Sequence, residues 1–378
     1  MTLIGMDAKR IVNNRTGLGN YGRTLVRDLV ESVPDLSFAL YAPSLGADDL
    51  RNQLPENDRC RFVTPGRTLP LVGKWWWRQR GLVDDLRRDG VELYHGLTGE
   101  LPFGLQKAGI ISVVTIHDLI FMRHPEYYHP WDVAIYKWKF RHVCSEADKI
   151  IAISQCTKRD IMQLGGVEEE RIEVVYQSFA QRYHGRVSQE VVEHVRRKYA
   201  LPKRYVLNVG SVEERKNVLL AVKALEKLPH DVELIIVGKA TPYAGKVREY
   251  ADSHGLGKRV KILHGVGDED LHAIYQEAEV FAYPSRYEGF GIPIIEAVGC
   301  GLPVVACTGS CLEEAGGPQC IYVHPDDVEA MAQALRESLK GAPGREERIA
   351  DSQQYIRRFL GVDTAAQVAD IYRSLLAD

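Results

Sequence analysis

The chain has 378 residues, 45% of them apolar and 26% charged, with a formal net charge of −3. That length suits two domains rather than one core, and the balance is that of a soluble globular protein. The charge excludes a general nucleic-acid binder, which would be distinctly basic, and no run of 18 apolar residues is present to span a membrane.

Seven cysteines, an odd number with no C-x-x-C among them, read as reduced core thiols of a cytosolic protein. Cys307 and Cys311 lack the second pair that a zinc site needs. The opening Met1-Thr-Leu-Ile-Gly-Met-Asp7 has no basic region followed by a long apolar one, so it reads as a first strand and not a signal peptide.

In the first half, strands are predicted at Leu3–Met6, Ser37–Ala42, Arg61–Thr64, Leu93–His95, Ile110–Ile116, Lys149–Ile153 and Ile172–Val175. Helices are predicted between them at Gly19–Val33, Trp75–Arg88, Trp131–Glu146 and Ser154–Leu164. Such alternation predicts parallel α/β layering. Residues 176–204 are polar and basic, and read as an interdomain connection carrying one short helix, Gln189–Tyr199.

A second series of strands follows at Tyr205–Val209, Glu233–Val237, Val260–Leu263, Val280–Tyr283, Pro303–Ala306 and Cys320–Val323. Its helices are Val218–Lys227, Ala244–His254, Asp268–Glu277, Ile292–Gly299 and Asp326–Leu339, and the tail Gly344–Asp378 reads as two more.

Chemistry-bearing groups sit where strands end. Asn14-Arg-Thr-Gly17-Leu-Gly19-Asn-Tyr21-Gly22 follows the first strand and precedes a helix, the position of a loop that approaches phosphate; G-x-G alone also fits a plain tight turn. Tyr94-His95-Gly96 and His117-Asp118 end two further strands, and a strand-end His can donate to a phosphate or bind a sugar hydroxyl.

Lys74-Trp75-Trp76-Trp77-Arg78 cannot place all three indoles on one helix face, because successive positions are about 100° apart. One or two therefore stay partly exposed, and Trp among cations suits a membrane interface; packing on neighbouring helices is the equal alternative.

The loop Gly210-Ser-Val-Glu-Glu-Arg215-Lys216-Asn217 brings two cations to a strand end, with Asn217 as the expected N-cap of the next helix. Then Tyr283-Pro-Ser-Arg-Tyr-Glu288-Gly-Phe-Gly-Ile-Pro-Ile-Ile-Glu296 sets two carboxylates around a glycine turn that opens a helix. Strand, glycine turn and helix point backbone N–H groups and a helix N-terminus at an anion. The pattern predicts a ligand with a phosphate and polyhydroxylated parts. The sequence lacks an obvious D-x-D metal clamp; Asp326-Asp327, which opens a helix, is a weak metal candidate.

Thr16-Gly-Leu-Gly-Asn-Tyr21, the Glu-Arg-Lys-Asn217 loop, the Glu288–Glu296 run and the following Ala297-Val-Gly-Cys-Gly-Leu-Pro-Val-Val305 resemble family 4 glycosyltransferases, also called group 1. The N-terminal pattern is most similar to bacterial enzymes that build surface polysaccharides.

The resemblance implies the GT-B fold, two Rossmann-like domains facing across a cleft. Residues 1–185 would form the acceptor side, with the tail 362–378 crossing back to it, and residues 200–361 would hold the nucleotide sugar. It implies that Lys216 and Arg215 neutralise the donor diphosphate. Gly17 and Gly19 would approach its phosphates, together with Gly289, Phe290, Gly291 and Ile292. Glu288 would hold the donor sugar, Glu296 would take the ribose hydroxyls, and His117 would sit by the reacting centre. One departure is Ser211, where many relatives carry Arg; Arg215 is the candidate substitute.

The expected reaction is retaining transfer of a hexose, preferably mannose, from a GDP- or UDP-sugar to a glycan or lipid-linked acceptor. No metal or other cofactor and no nucleic-acid partner are expected. The expected location is cytoplasmic, peripheral at the inner membrane face. The competing readings are a nucleotide-sugar epimerase or phosphorylase on a similar fold, and a non-catalytic nucleotide-binding partner.

Overall fold

The computed structural model describes residues 2–66, 72–177, 183, 185–359 and 363–377, with 72 and 74 described by backbone alone. The chain divides into two compact units, 1–177 with 362–378, and 178–361.

The first unit is built on seven strands: β1 Thr2–Asp7, β2 Leu36–Tyr41, β3 Cys60–Val63, β4 Leu93–Gly96, β5 Ile111–Ile116, β6 Lys149–Ala152 and β7 Ile172–Val174. They lie in the order β3-β2-β1-β4-β5-β6-β7, and every pairing is parallel. Alternate residues serve opposite layers, as the two-residue period of a strand requires. Phe38 and Leu40 of β2 join the core under the helix Gly17–Ser32, while Ala39 and Tyr41 join the core that holds Phe140 and Val143 of the helix Pro130–Glu146. Both faces are covered, so the strands read as short, nearly continuous apolar runs.

The last helix, Thr364–Ala377, belongs to this first unit. Ala365, Val368, Ala369 and Tyr372 sit in the same core as the helix Gly17–Ser32.

The second unit repeats the plan with six strands: β8 Tyr205–Val209, β9 Glu233–Val237, β10 Val260–Leu263, β11 Val280–Tyr283, β12 Val304–Cys307 and β13 Ile321–Val323. Their order is β10-β9-β8-β11-β12-β13, again all parallel. In each sheet the order reverses once, between β1 and β4 and between β8 and β11. Ligands of open α/β sheets bind outside the strand carboxyl ends at such points.

Three expectations are corrected. The stretch before β8 carries the expected helix Gln189–Tyr199, but it belongs to the second unit, which begins at 178 rather than 200, and that helix packs on the helix Asp268–Glu277. Lys198 Nζ lies 2.7 Å and Tyr199 Oη 2.8 Å from Asp270, and Arg196 pairs with Glu277 at 3.0 Å.

The single helix expected over Trp75–Arg88 is three pieces, with a π-turn at Trp77–Gly81 between Val72–Trp76 and Leu82–Asp89. The widened turn lets Trp77 bury and donate to Asp85 at 2.7 Å, while Arg78 reaches Asp7 at 2.5 Å and pairs with Glu100. Trp75 and Trp76 stay 60% and 56% exposed.

Asn217 caps no helix with its side chain. It adopts a left-handed conformation (φ 52°), which Asn tolerates better than most residues, and its amide donates to the Pro325 carbonyl at 2.8 Å.

Candidate active site

The carboxyl ends of β8 and β11 carry one cluster of charge. The turn Glu214–Lys216 after β8 delivers Arg215 and Lys216, and the segment after β11 returns Glu288 to them. Lys216 Nζ lies 2.5 Å from Glu288 Oε1, and Arg215 Nη1 lies 3.1 Å from Glu288 Oε2. Tyr283, the last residue of β11, places its hydroxyl 3.0 Å from Lys216 Nζ and 3.3 Å from Glu288. Two backbone ties hold the loops together: Arg215 Nη1 donates to the Tyr287 carbonyl at 2.6 Å, and Arg286 N–H donates to the Arg215 carbonyl at 3.0 Å.

Burial alone would raise the Glu288 pKa, but Lys216 and then Arg215 outweigh it and hold the carboxyl down to about 2. Burial likewise works against charge on Lys216, yet Glu288 keeps its pKa above the ordinary lysine value. Burial, reinforced by Glu288, pushes the Tyr283 hydroxyl up to about 12. At neutral pH the cluster is therefore two cations on one carboxylate, with Glu213 at 3.9 Å from Arg215 as the next anion.

The glycine turn leads into the helix Ile292–Gly299, with a proline in its first turn. Gly291 has φ 123°, a conformation L side chains rarely adopt, and a Cβ there would meet Ala315 at 3.2 Å. Phe290 is buried and sets its ring edge against Phe359, with centroids 5.3 Å apart. Beneath the turn, Cys311 Sγ lies 2.7 Å from the Phe290 carbonyl and 3.1 Å from that of Glu288. Glu296 lies about one turn into the helix and accepts from Tyr275 Oη at 3.1 Å. One unit thus brings together Arg215, Lys216, Glu288, the 289–292 backbone and Glu296.

The other predicted residues belong to the first unit. A short helix, Lys9–Asn13, intervenes between β1 and the glycine loop. Asn14 Oδ1 accepts from the Thr16 N–H at 2.7 Å and the Gly19 N–H at 3.3 Å. A Cβ at Gly19 would fall 1.9 Å from the Asn14 carbonyl, so close chain packing requires that glycine, whereas Gly17 is exposed with open space around it.

His117 lies just past β5 and packs edge-on against Tyr21 of the glycine-loop helix, with centroids 4.7 Å apart. Its Nε2–H donates to the Leu97 carbonyl at 2.9 Å, and Nδ1 accepts from Gln177 at 3.2 Å. Burial lowers its pKa to about 4, so the ring is neutral at pH 7.

Deeper, His95 joins Tyr372 Oη (2.6 Å) and Thr115 Oγ1 (2.8 Å), and Thr115 meets Tyr21 Oη at 3.2 Å. This chain links the last helix to the glycine-loop helix.

Asp326 is ion-paired to Arg286 at 2.5 Å, and Asp327 caps the helix Val328–Ser338 through the Ala330 N–H at 2.8 Å, which accounts for both carboxylates. Among the described residues, no group of three or more His, Cys, Asp or Glu side chains could hold a metal ion. The sequence assigns no role to Tyr283 or Gln177, and reads Cys311 only as a core thiol. The strand-end position of Tyr283 is the available signal; nothing in the sequence marks Gln177 or places Cys311 beneath the turn.

Two parallel sheets with a charged cluster at the second switch point define the GT-B class, and solved structures share the fold. Sucrose-phosphate synthase from Thermosynechococcus elongatus matches with a TM-score of 0.80 at 20% identity, over 100% of both chains. Anabaena HepE in complex with UDP matches with a TM-score of 0.76 at 18% identity, over 99% of this chain and 100% of that one.

Residues 192–355 match the profile of glycosyl transferases group 1, and residues 16–178 that of glycosyltransferase family 4. The chain is 31% identical over 381 residues to O-antigen chain mannosyltransferase B of Escherichia coli, covering 95% of this chain and 96% of that protein. It belongs to the family 4 (group 1) glycosyltransferases.

Proposed function

We propose that the protein is a retaining glycosyltransferase that moves a hexose, preferably mannose, from a nucleotide sugar to a glycan or lipid-linked acceptor in polysaccharide biosynthesis. The observation that carries this reading is the Arg215–Glu288–Lys216 cluster at the β8/β11 switch point, beside a glycine turn and a helix N-terminus. The preference for mannose and for polysaccharide rests on the Escherichia coli relative.

Breaking the sugar–phosphate bond leaves negative charge on the departing diphosphate and an oxocarbenium-like sugar. Lys216, Arg215 and the positive end of the helix Ile292–Gly299 stabilise that diphosphate, a role a divalent cation fills elsewhere. We therefore expect transfer without added metal.

Glu288 is held ionised, with one oxygen on each cation, so it is a poor nucleophile. This favours attack by the acceptor hydroxyl on the face the diphosphate leaves, with the hydroxyl proton passing to the departing phosphate oxygen. His117 would meet the reacting sugar as a neutral imidazole, Gly17 would admit a phosphate, and Glu296 would accept the ribose hydroxyls. Peripheral contact with the inner membrane face, through Trp75 and Trp76, is part of the same reading.

The two carboxylates separate the roles. Glu288→Gln should lower kcat by roughly 10- to 100-fold with little change in nucleotide affinity, since it disturbs the charge balance of the reacting centre. Glu296→Gln should weaken nucleoside diphosphate binding about tenfold, the scale of one hydrogen bond to a charged group, and leave kcat near its starting value. Steady-state kinetics with calorimetric nucleotide titration distinguish them; affinity loss alone in both variants would refute the assignment.

A further inference from the structure

The helix Pro130–Glu146 has two apolar faces. Phe140, Val143 and Cys144 join the first unit's core, and Val133 is buried on the same side. Trp131, Ile135 and Trp138, spaced i, i+4, i+7, form one stripe on the opposite side and are 81%, 48% and 49% exposed. The stripe runs on through His142, where Phe103 stacks on the imidazole (centroids 3.8 Å) and also meets Trp138 (5.2 Å). A helix apolar on both sides is ordinarily enclosed by other structure. One nearly open and one half-open indole, with a half-open isoleucine, call for a cover.

Charge flanks the stripe on both sides. Half-buried Lys137 and exposed Arg141 lie along one edge, and Lys139 along the other. Exposed Asp132, beside Trp131, is the opposing charge at the helix start. Lys139 Nζ is held by Glu100 at 2.9 Å, and Arg78 pairs with the same carboxylate two residues beyond Trp76. The Phe103 N–H also donates to the Gln79 carbonyl at 2.8 Å. The stripe and the Trp75–Trp76 pair are therefore carried on elements tied to one loop.

We propose that the Trp131–Ile135–Trp138 stripe is a lipid-binding face that enters the headgroup zone of an anionic bilayer, with the helix lying in the membrane plane. Indoles favour the boundary between apolar chains and water, and Lys137 and Arg141 along one edge match the charge of anionic headgroups. This assigns the larger part of the membrane contact to a helix that the sequence predicts at Trp131–Glu146 without giving it a functional role. The inference rests on the lipid-linked-acceptor reading for its purpose, not for its geometry.

The test is flotation of the full chain with vesicles of phosphatidylcholine alone or mixed with phosphatidylglycerol, alongside sedimentation velocity and transfer to a short water-soluble mannose oligosaccharide. The wild type should float with the mixed vesicles, more weakly as salt rises. The triple variant Trp131→Ser/Ile135→Ser/Trp138→Ser should lose partitioning by roughly 10- to 100-fold, as removal of most of the inserting apolar area requires. It should keep the wild-type circular dichroism and transfer rate to the soluble acceptor.

Wild-type protein that stays in the aqueous fraction, or a triple variant that floats like the wild type, would overturn the proposal. So would a folded triple variant that loses transfer to the soluble oligosaccharide, which makes the stripe an acceptor site, or one whose only change is dissociation from dimer to monomer. A wild type that floats as expected but transfers no sugar contradicts the proposed reaction and leaves the lipid-binding face standing.

Discussion

Lys216→Ala should lower turnover by about 2–4 kcal/mol of transition-state stabilisation, roughly 30- to 1,000-fold in kcat, the scale of losing one preorganised charge donor. The side chain stands 2.5 Å from Glu288 and 3.0 Å from the Tyr283 hydroxyl, so its ammonium is fixed before any ligand arrives. Its removal leaves Arg215 on Glu288 at 3.1 Å, so the carboxylate keeps a partner and the fold should survive. Lys216→Arg should restore only part of the rate, because a planar fork does not reproduce a compact ammonium in a site this enclosed. Circular dichroism checks the fold, and nucleoside diphosphate affinity should fall together with kcat. Unchanged kinetics in a folded Lys216→Ala protein would remove the cluster from the mechanism.

Acid should destabilise the first unit through His95 before any carboxylate is titrated. The ring is fully buried, and burial, with His117 nearby, lowers its pKa from 6.5 to about 3. The folded state thus refuses a proton that the unfolded chain accepts below about pH 6.5, so stability is complete above that pH and falls as pH drops toward 3. Between about pH 7.5 and pH 5 the loss from His95 alone is about 2 kcal/mol. His117, lowered to about 4, adds in the same direction over the same window. His95→Gln, which can still hydrogen-bond Tyr372 and Thr115, should flatten the urea-unfolding free energy over that window by about 2 kcal/mol. An equally steep variant would place the acid sensitivity elsewhere.

The strands were legible because parallel sheets covered on both faces demand short β-branched and aromatic runs; Val280-Phe-Ala-Tyr283 is one, and it forms β11 as expected. Lys216, Glu288 and the glycine turn were legible for a related reason: strand ends at a switch point carry ligand chemistry. The partnership between Lys216 and Glu288 was not, since nothing in linear spacing says that a cation after β8 meets a carboxylate after β11.

Asn217 misled because its side chain suits a cap and also suits a left-handed turn, and the Pro325 carbonyl, 108 positions away, settles which. The π-turn at Trp77–Gly81 depends on Asp7 and Glu100 drawing Arg78 inward, again a long-range effect. The helix Pro130–Glu146 was expected nearly to its ends, but with apolar residues on both faces only the packed structure reveals that the Trp131 side is the open one.

The central claim is that this chain transfers hexose from a nucleotide sugar with retention, using its own cations on the diphosphate. Incubation with GDP-α-mannose and a fluorescent mannose oligosaccharide in excess chelator, followed by mass spectrometry and proton NMR of the product, tests it directly. The account predicts one added hexose in α linkage, formed at the rate seen without chelator. A β-linked product, or transfer abolished by chelator and restored by Mg²⁺ or Mn²⁺, would contradict it.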